Sequence, residues 1–308
     1  MMVSRQLGSL GGRRSGSALL VVLSAIIVLS IVVVSFIEFS QSHLKEKAEE
    51  GLRFRARMLA ESGLALGMHP EMEKGDPVLR QDFGDDTRFE VRLTKEGGRF
   101  PINSLTSEIE IEVLKRLFEA WEVPVDQATV AAESLADWTD VDADARNSGA
   151  EEEYYTGYGF DEYPLNQGFA AVDEMLLARG MDRIDRIKPN WREYFTVYGT
   201  GLIDVNAASV DVIRAALDLG KEEAIKIAAI RLGDDGRPDT EDDVDFSDLE
   251  EVKDNAGIND AEWSEISSLL TVEDTLERIE STGHVGSFRV KLIVLKDETS
   301  GIVARFER

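Results

Sequence analysis

Residues 17–37 read SALLVVLSAIIVLSIVVVSFI, an apolar run that contains no charged side chain. As a helix, at about 1.5 Å per residue, this run is about 30 Å long, which is the thickness of the hydrocarbon core of a bilayer. The apolar core of a signal peptide is shorter, at roughly 7–15 residues. The chain after residue 37 contains no proline before Pro70 and is rich in helix formers. The sequence therefore predicts one continuous helix over residues 17–67, apolar first and amphipathic afterwards.

The charge of the chain is unevenly distributed along the sequence. Its 308 residues include 60 acidic and 34 basic side chains, a net charge of −26, and no cysteine. Arg5, Arg13 and Arg14 precede the apolar run without any acid, so the amino terminus is predicted to stay in the cytoplasm. Missing cysteines exclude disulfides, a thiol nucleophile and cysteine metal sites. The acidic balance argues against nucleic-acid binding, which needs a basic surface.

The rest of the chain shows strand patterns on both sides of a helical middle. Alternation in TRFEVRL, residues 87–93, predicts a strand, and KEGGRFPIN after it predicts a hairpin. Further strands are predicted at 287–295 and 301–307. Helical spacing predicts short helices over 106–120, 126–138, 169–180, 207–218, 221–232 and 260–270. The predicted fold class is α+β: a long amino-terminal helix packed on a small antiparallel sheet, with a large inserted all-α domain.

A carboxylate array is the strongest chemical signal. Asp140, Asp142 and Asp144 alternate, and Glu151 is the twelfth residue counted from Asp140, which matches ligand positions 1, 3, 5 and 12 of an EF-hand loop. Ala145 replaces the usual glycine, and no clear exit helix is predicted after Glu151, so the loop is EF-hand-like. The predicted calcium ligands are Asp140, Asp142, Asp144, Ser148, Glu151 and Glu152.

Other interpretations of the acidic segments stay open. The array is also compatible with a solvated loop, or with paired carboxylates of a glycoside hydrolase, although a sugar site normally shows aromatic platforms. We expect no enzymatic activity.

A second acidic loop, GDDGRPDTEDDVDF at residues 233–246, is either a solvated insertion or a second calcium site. The residues that could hold this second ion are Asp235, Asp239, Asp242 and Asp243.

The amino-terminal region resembles that of type IV pilins and pseudopilins, with a basic leader that ends in glycine before an apolar helix. The resemblance implies that a prepilin peptidase cuts between Gly16 and Ser17 and that the new amino terminus is methylated. Pilins usually carry glutamate five residues into the mature chain, where this sequence has Val21. The K-type minor pseudopilin of type II secretion lacks that glutamate as well.

A second resemblance rests on these residues: Leu135, Asp137-Trp138, Asp140, Asp142, Gly149-Ala150-Glu151, Tyr154-Tyr155, Tyr163-Pro164-Leu165-Asn166 and Val172-Asp173-Glu174-Met175-Leu176. They are similar to the pattern of the general secretion pathway protein K family. The resemblance implies a minor pseudopilin with an inserted domain that binds Ca²⁺, located at the tip of the pseudopilus and involved in export across the outer membrane. It implies a single inner-membrane span with the bulk of the chain in the periplasm. The implied partners are the I- and J-type minor pseudopilins, the major pseudopilin and the prepilin peptidase.

The alternative function comes from a helix pair that follows Asn206. VDVIRAALDLGKEEAIKIAAIR resembles helix-hairpin-helix and SAM-like modules, which often bind DNA backbones, so a membrane-anchored DNA-binding or uptake protein is the competing interpretation. The turn at residues 218–223 is acidic, whereas phosphate contact needs exposed amides or lysine.

The predicted division of the chain is a leader (1–16), a pilin helix (17–67), a first part of the sheet domain (68–102), an inserted α domain (103–200), a SAM-like module (201–272) and carboxyl-terminal strands (273–308).

Overall fold

A computed structural model describes residues 15–238, 240, 242–297 and 299–307. The predicted leader, residues 1–16, lies outside the described residues except for its last two. The chain divides into two units, residues 1–55 and residues 56–308. The first unit is formed by most of one long helix, and the second contains the end of that helix, the sheet and all of the shorter helices described.

The long helix, α1, covers Ser15–Gly67 and has 53 residues, which confirms the predicted continuous helix. Its most apolar part has a mean hydropathy of 3.2, so by length and composition α1 can cross a membrane. The hydroxyl groups of Ser24 and Ser30 donate to carbonyl oxygens of the preceding turn, at 2.9 and 2.8 Å. These hydrogen bonds satisfy the polar side chains within the helix, as an apolar surrounding requires.

Short helices and strands follow α1 along the chain. The other described α-helices are α2 Glu108–Ala120, α3 Val125–Thr139, α4 Glu152–Thr156, α5 Met181–Ile187, α6 Val210–Ala216, α7 Lys221–Ile230, α8 Leu249–Ala256 and α9 Asp260–Ile266. The described strands are β1 Arg80–Asp82, β2 Thr87–Lys95, β3 Phe100–Pro101, β4 Phe195–Thr196, β5 Ile203–Asp204, β6 Leu270–Thr271, β7 Leu276–Val285, β8 Phe288–Asp297 and β9 Gly301–Glu307.

Five strands form an antiparallel sheet in the order β1-β2-β7-β8-β9. The last turns of α1 pack on it through glycines, because a Cβ at Gly63 would meet side chains of β2 and β7. On β7, a Cβ at Gly283 would overlap the backbone of α1 at Ala56 and Ala60. A long helix on a small antiparallel sheet, with a helical insertion, confirms the predicted α+β class.

The central strand β7 was not predicted from sequence. Its buried positions alternate with half-buried ones, but they include Arg278, Ser281 and Gly283, which carry no hydrophobic signal. Arg278 is buried because its guanidinium donates to Glu96 at 2.8 Å and pairs with Glu280. An ion pair and a close helix contact thus replace the apolar side chains that a period-two pattern requires.

Other predicted elements differ from the structure. The hairpin over residues 87–103 is wrong, because β2 pairs with β1 and β7 while β3 pairs in parallel with β4. The predicted helix over 169–180 is also wrong: a 3-10 helix covers Val172–Leu177, and Gly180 in a left-handed conformation (φ 90°) separates it from α5. Helix α8 was missed because its sequence, LEEVKDNA, is mostly polar and buries only Val252.

The chain between β2 and β7, residues 96–275, is called the insert below. One buried cluster extends through it from Phe100 to Leu270, and α2 contacts both α3 and α6. This core crosses the predicted boundary at residue 200. The two ends of the insert contact each other, because the Gly97 amide donates to the Asp274 carboxylate at 2.7 Å.

Candidate metal centre

The acidic loop begins where α3 ends against a cluster of aromatic rings. Trp138, in the last turn of α3, is fully buried and stacks on Phe169, with ring centroids 5.8 Å apart. The rings of Tyr163 and Tyr155 lie 5.2 and 5.7 Å from Trp138. These contacts fix the end of the helix, so the residue that follows, Asp140, enters the loop from a rigid position.

Asp137, beside Trp138, folds the loop back onto the helix end. It is fully buried, and its carboxylate accepts from the Ala150 amide at 2.8 Å and from the Arg146 guanidinium at 2.6 Å. The Arg146 amide also donates to it. A Cβ at Gly149 would overlap this carboxylate, so the return of the loop requires glycine there. Asp137 therefore holds together both ends of the segment that carries the predicted ligands.

The loop brings three of the predicted calcium ligands together. Carboxylate oxygens of Asp140, Asp142 and Glu151 all lie within 4.8 Å of one another. Glu151 is only 5 % exposed, and neither of its carboxylate oxygens has a hydrogen-bond donor among the described residues. Buried acceptors without donors are costly, so this arrangement calls for a positively charged partner.

Further buried oxygens point to the same conclusion. In the described part of the chain, Asp140 Oδ1 and Asn166 Oδ1 are also buried without a donor. The Asn166 side-chain amide donates to the carbonyl of Asp142 at 2.8 Å, which places Asn166 beside the loop. Asn166 was not predicted as a ligand, because it lies far beyond the loop in sequence and is brought back by the fold.

The electrostatics of the cluster are unbalanced. The Arg146 guanidinium lies 2.6 Å from Asp140 as well as from Asp137. Burial opposes its charge, but hydrogen bonds to Asp140 and Asp137 raise the pKa of Arg146 above its ordinary value. Burial first, and then neighbouring aspartates, raise the pKa of Glu151 to about 7. One arginine thus faces several carboxylates, and Glu151 is the one whose charge is least compensated.

The other predicted ligands lie outside this group. The Asp144 amide donates to Asp142, but the Asp144 carboxylate is not one of the clustered groups. The Ser148 amide donates to Glu133 at 2.6 Å. Glu152 is the exposed first residue of α4. The expectation that no helix follows Glu151 is wrong, because Glu151 is the N-cap residue of α4.

The segment that contains the acidic loop matches a known protein family. A family model described as "Type II secretion system (T2SS), protein K" matches residues 98–190. The resemblance to protein K is confirmed. The protein K segment contains Asp137, the clustered carboxylates and Asn166, so the candidate metal centre belongs to the part of the chain that carries the family pattern.

Solved structures share the fold of this chain beyond the matched segment. One is a chain of the GspK-GspI-GspJ complex from the type 2 secretion system of enterotoxigenic Escherichia coli. It is 17 % identical, the match covers 87 % of this chain and 99 % of that chain, and the TM-score is 0.59. The two chains share a fold. A comparison with curated proteins finds no match. Helix α1 fits the single-pass inner-membrane anchor of a protein K chain.

The second acidic loop supplies its own hydrogen-bond donors. Asp242 accepts from the amides of Asp234 and Asp235, at 2.8 and 3.0 Å, and Asp243 pairs with Lys74. Asp239 lies outside the described residues. Among the described residues, the acidic side chains close enough together to share a metal ion are Asp140, Asp142 and Glu151. A second calcium at Asp235, Asp242 and Asp243 stays a prediction.

The predicted peptidase site and the predicted DNA-binding helix pair lie in different elements of the fold. Gly16 and Ser17 lie in the first turn of α1, beside the undescribed part of the leader. The helix pair proposed for DNA binding is α6–α7, and at its turn Asp218 pairs with Arg116 of α2 at 3.2 Å. Because α6 also packs on α2, this helix pair is part of the core of the insert.

Proposed function

We propose that this protein is a minor pseudopilin that occupies the tip of a type II secretion pseudopilus and initiates or caps its assembly for protein export. The observation that carries the proposal is that the segment matched by the protein K family model is inserted between strands of a sheet on which the last turns of the long helix α1 pack. The solved structure of similar fold comes from a GspK-GspI-GspJ complex. By the same likeness, the I- and J-type minor pseudopilins are its proposed partners.

The proposed course of assembly starts in the inner membrane. The basic leader keeps the amino terminus in the cytoplasm and α1 holds the rest of the chain in the periplasm. Prepilin peptidase then cuts between Gly16 and Ser17, the new terminus is methylated, and α1 joins the helices of the major pseudopilin. Val21 offers no carboxylate to a neighbouring amino terminus, which favours an end position in the filament. The net charge of −26 disfavours nucleic acid, and we propose no enzymatic activity.

Co-purification tests this assignment. The full chain is co-expressed with the I- and J-type minor pseudopilins of the same organism, with an affinity tag on the J-type protein alone. We expect all three chains to elute together in detergent and to co-migrate in size-exclusion chromatography. A chain that elutes alone, while the I- and J-type proteins stay together, would contradict the proposal. A tagged major pseudopilin, supplied in place of the tagged J-type protein, is the control for helix-mediated association in detergent.

We also propose that the candidate metal centre binds calcium through Asp140, Asp142, Glu151 and the side-chain oxygen of Asn166. Calcium prefers carboxylate and amide oxygens, and these are the groups that the fold leaves clustered or without donors. A bound ion would neutralise the clustered carboxylates and would tie the loop to the segment around Asn166. Arg146 neutralises only part of this charge, since it is shared between Asp137 and Asp140.

Calcium is therefore expected to raise the thermal stability of the full chain. At a free concentration of about 100 times Kd, the gain is about 2.7 kcal/mol, and Tm should rise by roughly 5–10 °C relative to EGTA-treated protein. Glu151→Gln should abolish most of this rise. Without calcium, the same variant should melt no lower than the parent, because it removes a buried charge that lacks a donor in the described structure.

The matched control for this titration is Glu162→Gln, an exposed acid outside the cluster, which should keep the full calcium response. A flat melting curve for the parent chain would remove the calcium assignment. A rise that survives Glu151→Gln unchanged would place the ion elsewhere in the chain.

A further inference from the structure

Four large apolar side chains are exposed on the segments around the acidic loop. They are called the aromatic surface below, and their exposed fractions are Val141 89 %, Tyr158 69 %, Phe160 55 % and Leu165 38 %. Single exposed apolar residues are normal on proteins, but several on adjoining segments indicate a place where another molecule binds.

Contacts within the protein join these residues into one surface. The Phe160 ring stacks on that of Tyr163, with centroids 5.9 Å apart, and Leu165 follows Tyr163 in the chain after one residue. The next residue, Asn166, donates to the carbonyl of Asp142, which is adjacent to Val141. The segment that ends in Leu165 therefore lies beside the acidic loop, which carries Val141.

Tyr158 belongs to the same surface, and its support is rigid. Its ring lies 5.0 Å from that of Tyr154, which in turn lies 5.2 Å from the buried ring of Tyr155. Tyr155 contacts Trp138, as does Tyr163. The exposed rings thus rest on a buried aromatic layer, so burying them against a partner would require little ordering of the protein.

The surroundings of the aromatic surface are strongly acidic. Residues 140–166 contain eight carboxylates and one basic residue, Arg146, which already pairs with Asp137 and Asp140. The exposed carboxylates next to the rings are those of Glu152, Glu153, Asp161 and Glu162. Three of the eight carboxylates form the candidate metal centre, so an excess of negative charge stays at the surface even with calcium bound.

A basic side chain already lies on the ring of Tyr154, which supports Tyr158. The guanidinium of Arg179 lies over the ring of Tyr154, 4.7 Å from its centroid. Cations bind to the faces of tyrosine and phenylalanine rings, and acidic neighbours strengthen the attraction. The acidic surroundings therefore favour a partner with basic side chains. The exposed apolar side chains favour a partner that also carries apolar residues between its basic residues.

We infer that the aromatic surface is a docking site for an extended or helical protein segment that carries lysine or arginine between apolar residues. This inference goes beyond the proposed function, since membership of a pseudopilus does not require such a surface. Apolar side chains of the partner cover Phe160, Tyr158 and Leu165, and its basic side chains meet the carboxylates of Asp161 and Glu162.

The test uses the full chain in nanodiscs of zwitterionic lipid, at constant free calcium. The probe is a fluorescent peptide of alternating lysine and leucine, and the comparison peptide has glutamate at each lysine position. The double variant Tyr158→Ser/Phe160→Ser should bind the lysine peptide at least about tenfold more weakly, since truncated aromatic anchors dominate interface energies. Near-ultraviolet circular dichroism of the full chain checks that the buried aromatic packing is intact.

The matched control is Phe83→Ser. Phe83 is 57 % exposed, close to the 55 % of Phe160, and its ring also rests on another aromatic ring, that of Phe89 at 6.0 Å. This variant should bind the lysine peptide as the parent does. A second double variant, Asp161→Asn/Glu162→Gln, should weaken binding and reduce its dependence on salt.

Three results would overturn the inference: no binding of the lysine peptide to the parent, equal loss in the Phe83 control, or equal binding of the glutamate peptide. The outcome is independent of the co-purification experiment. Absence of the complex with the I- and J-type proteins, with selective peptide binding intact, would contradict only the proposed function. A stable complex without selective peptide binding would contradict only the docking site.

Discussion

Replacing Gly283 by alanine is expected to destabilise the folded unit of residues 56–308 by about 3 kcal/mol and to lower its Tm by roughly 6–12 °C. A Cβ at this position of β7 would overlap the carbonyl oxygen of Ala56 and approach the amide nitrogen of Ala60. These are backbone atoms of α1, so no side-chain rotation relieves the overlap. The helix would have to lift from the sheet and lose the close contacts of Gly63 and Gly67.

Gly51→Ala is the control for this substitution. It adds the same methyl group to α1 at a position where a Cβ would meet no atom within 4 Å in the described part of the chain. Since alanine is the better helix former, this variant should be unchanged or more stable by about 0.5–1 kcal/mol. Thermal melts in the same detergent compare the two. Similar melting of the two variants would show that α1 and β7 are not in the close contact described.

Replacing Asp137 by alanine is expected to destabilise the protein by about 3–5 kcal/mol, because it breaks a buried ion pair and leaves its donors unsatisfied. The donors that lose their acceptor are the Arg146 guanidinium and the amides of Arg146 and Ala150. The return of the acidic loop depends on the same hydrogen bonds. We therefore expect the variant to lose most of the calcium-dependent rise in Tm as well. Urea unfolding measures the first effect and calcium titration the second.

Asp144→Ala serves as the matched comparison for Asp137→Ala. Asp144 is an exposed aspartate of the same loop, and its carboxylate is outside the metal cluster. Its replacement should change the free energy of unfolding by no more than about 0.5 kcal/mol. If Asp144→Ala removed the calcium response and Asp137→Ala did not, the ligand set proposed from the structure would have to be replaced by the EF-hand spacing predicted from sequence.

The parts of the fold that could be predicted from sequence are those with local signals. The apolar run over residues 17–37 predicts α1 without any knowledge of its neighbours, and alternation predicts β2. The strands predicted at 287–295 and 301–307 correspond to β8 and β9. The strand β7 could not be predicted in this way. On one face of β7, Gly283 packs against a helix, and on the other face Arg278 is held in an ion pair, so both depend on partners far away in sequence.

The same distinction applies to the candidate metal centre. Asp140, Asp142 and Glu151 were predicted because the spacing of ligands within one loop is a local property. Asp144 is not among the clustered carboxylates, because the loop is shaped by Asp137, which draws residues 146–150 back to α3, and not by the glycine turn of an EF-hand. Asn166 had no local signal, because the chain returns to the site only through the aromatic cluster around Trp138.

The paired ends of the insert bear on the order in which the protein folds. In the sheet, Lys95 of β2 is opposite Glu277 of β7, and the whole insert lies between them in sequence. Closing so long a loop in an unfolded chain is entropically costly and slow. A folded insert removes that cost, because it already holds Gly97 against Asp274 and so delivers the ends of both strands to each other in register. It follows that α1 gains its complete sheet only after β7, β8 and β9 at the carboxyl-terminal end have been added to it, and that the insert acts as an internal template for this final step.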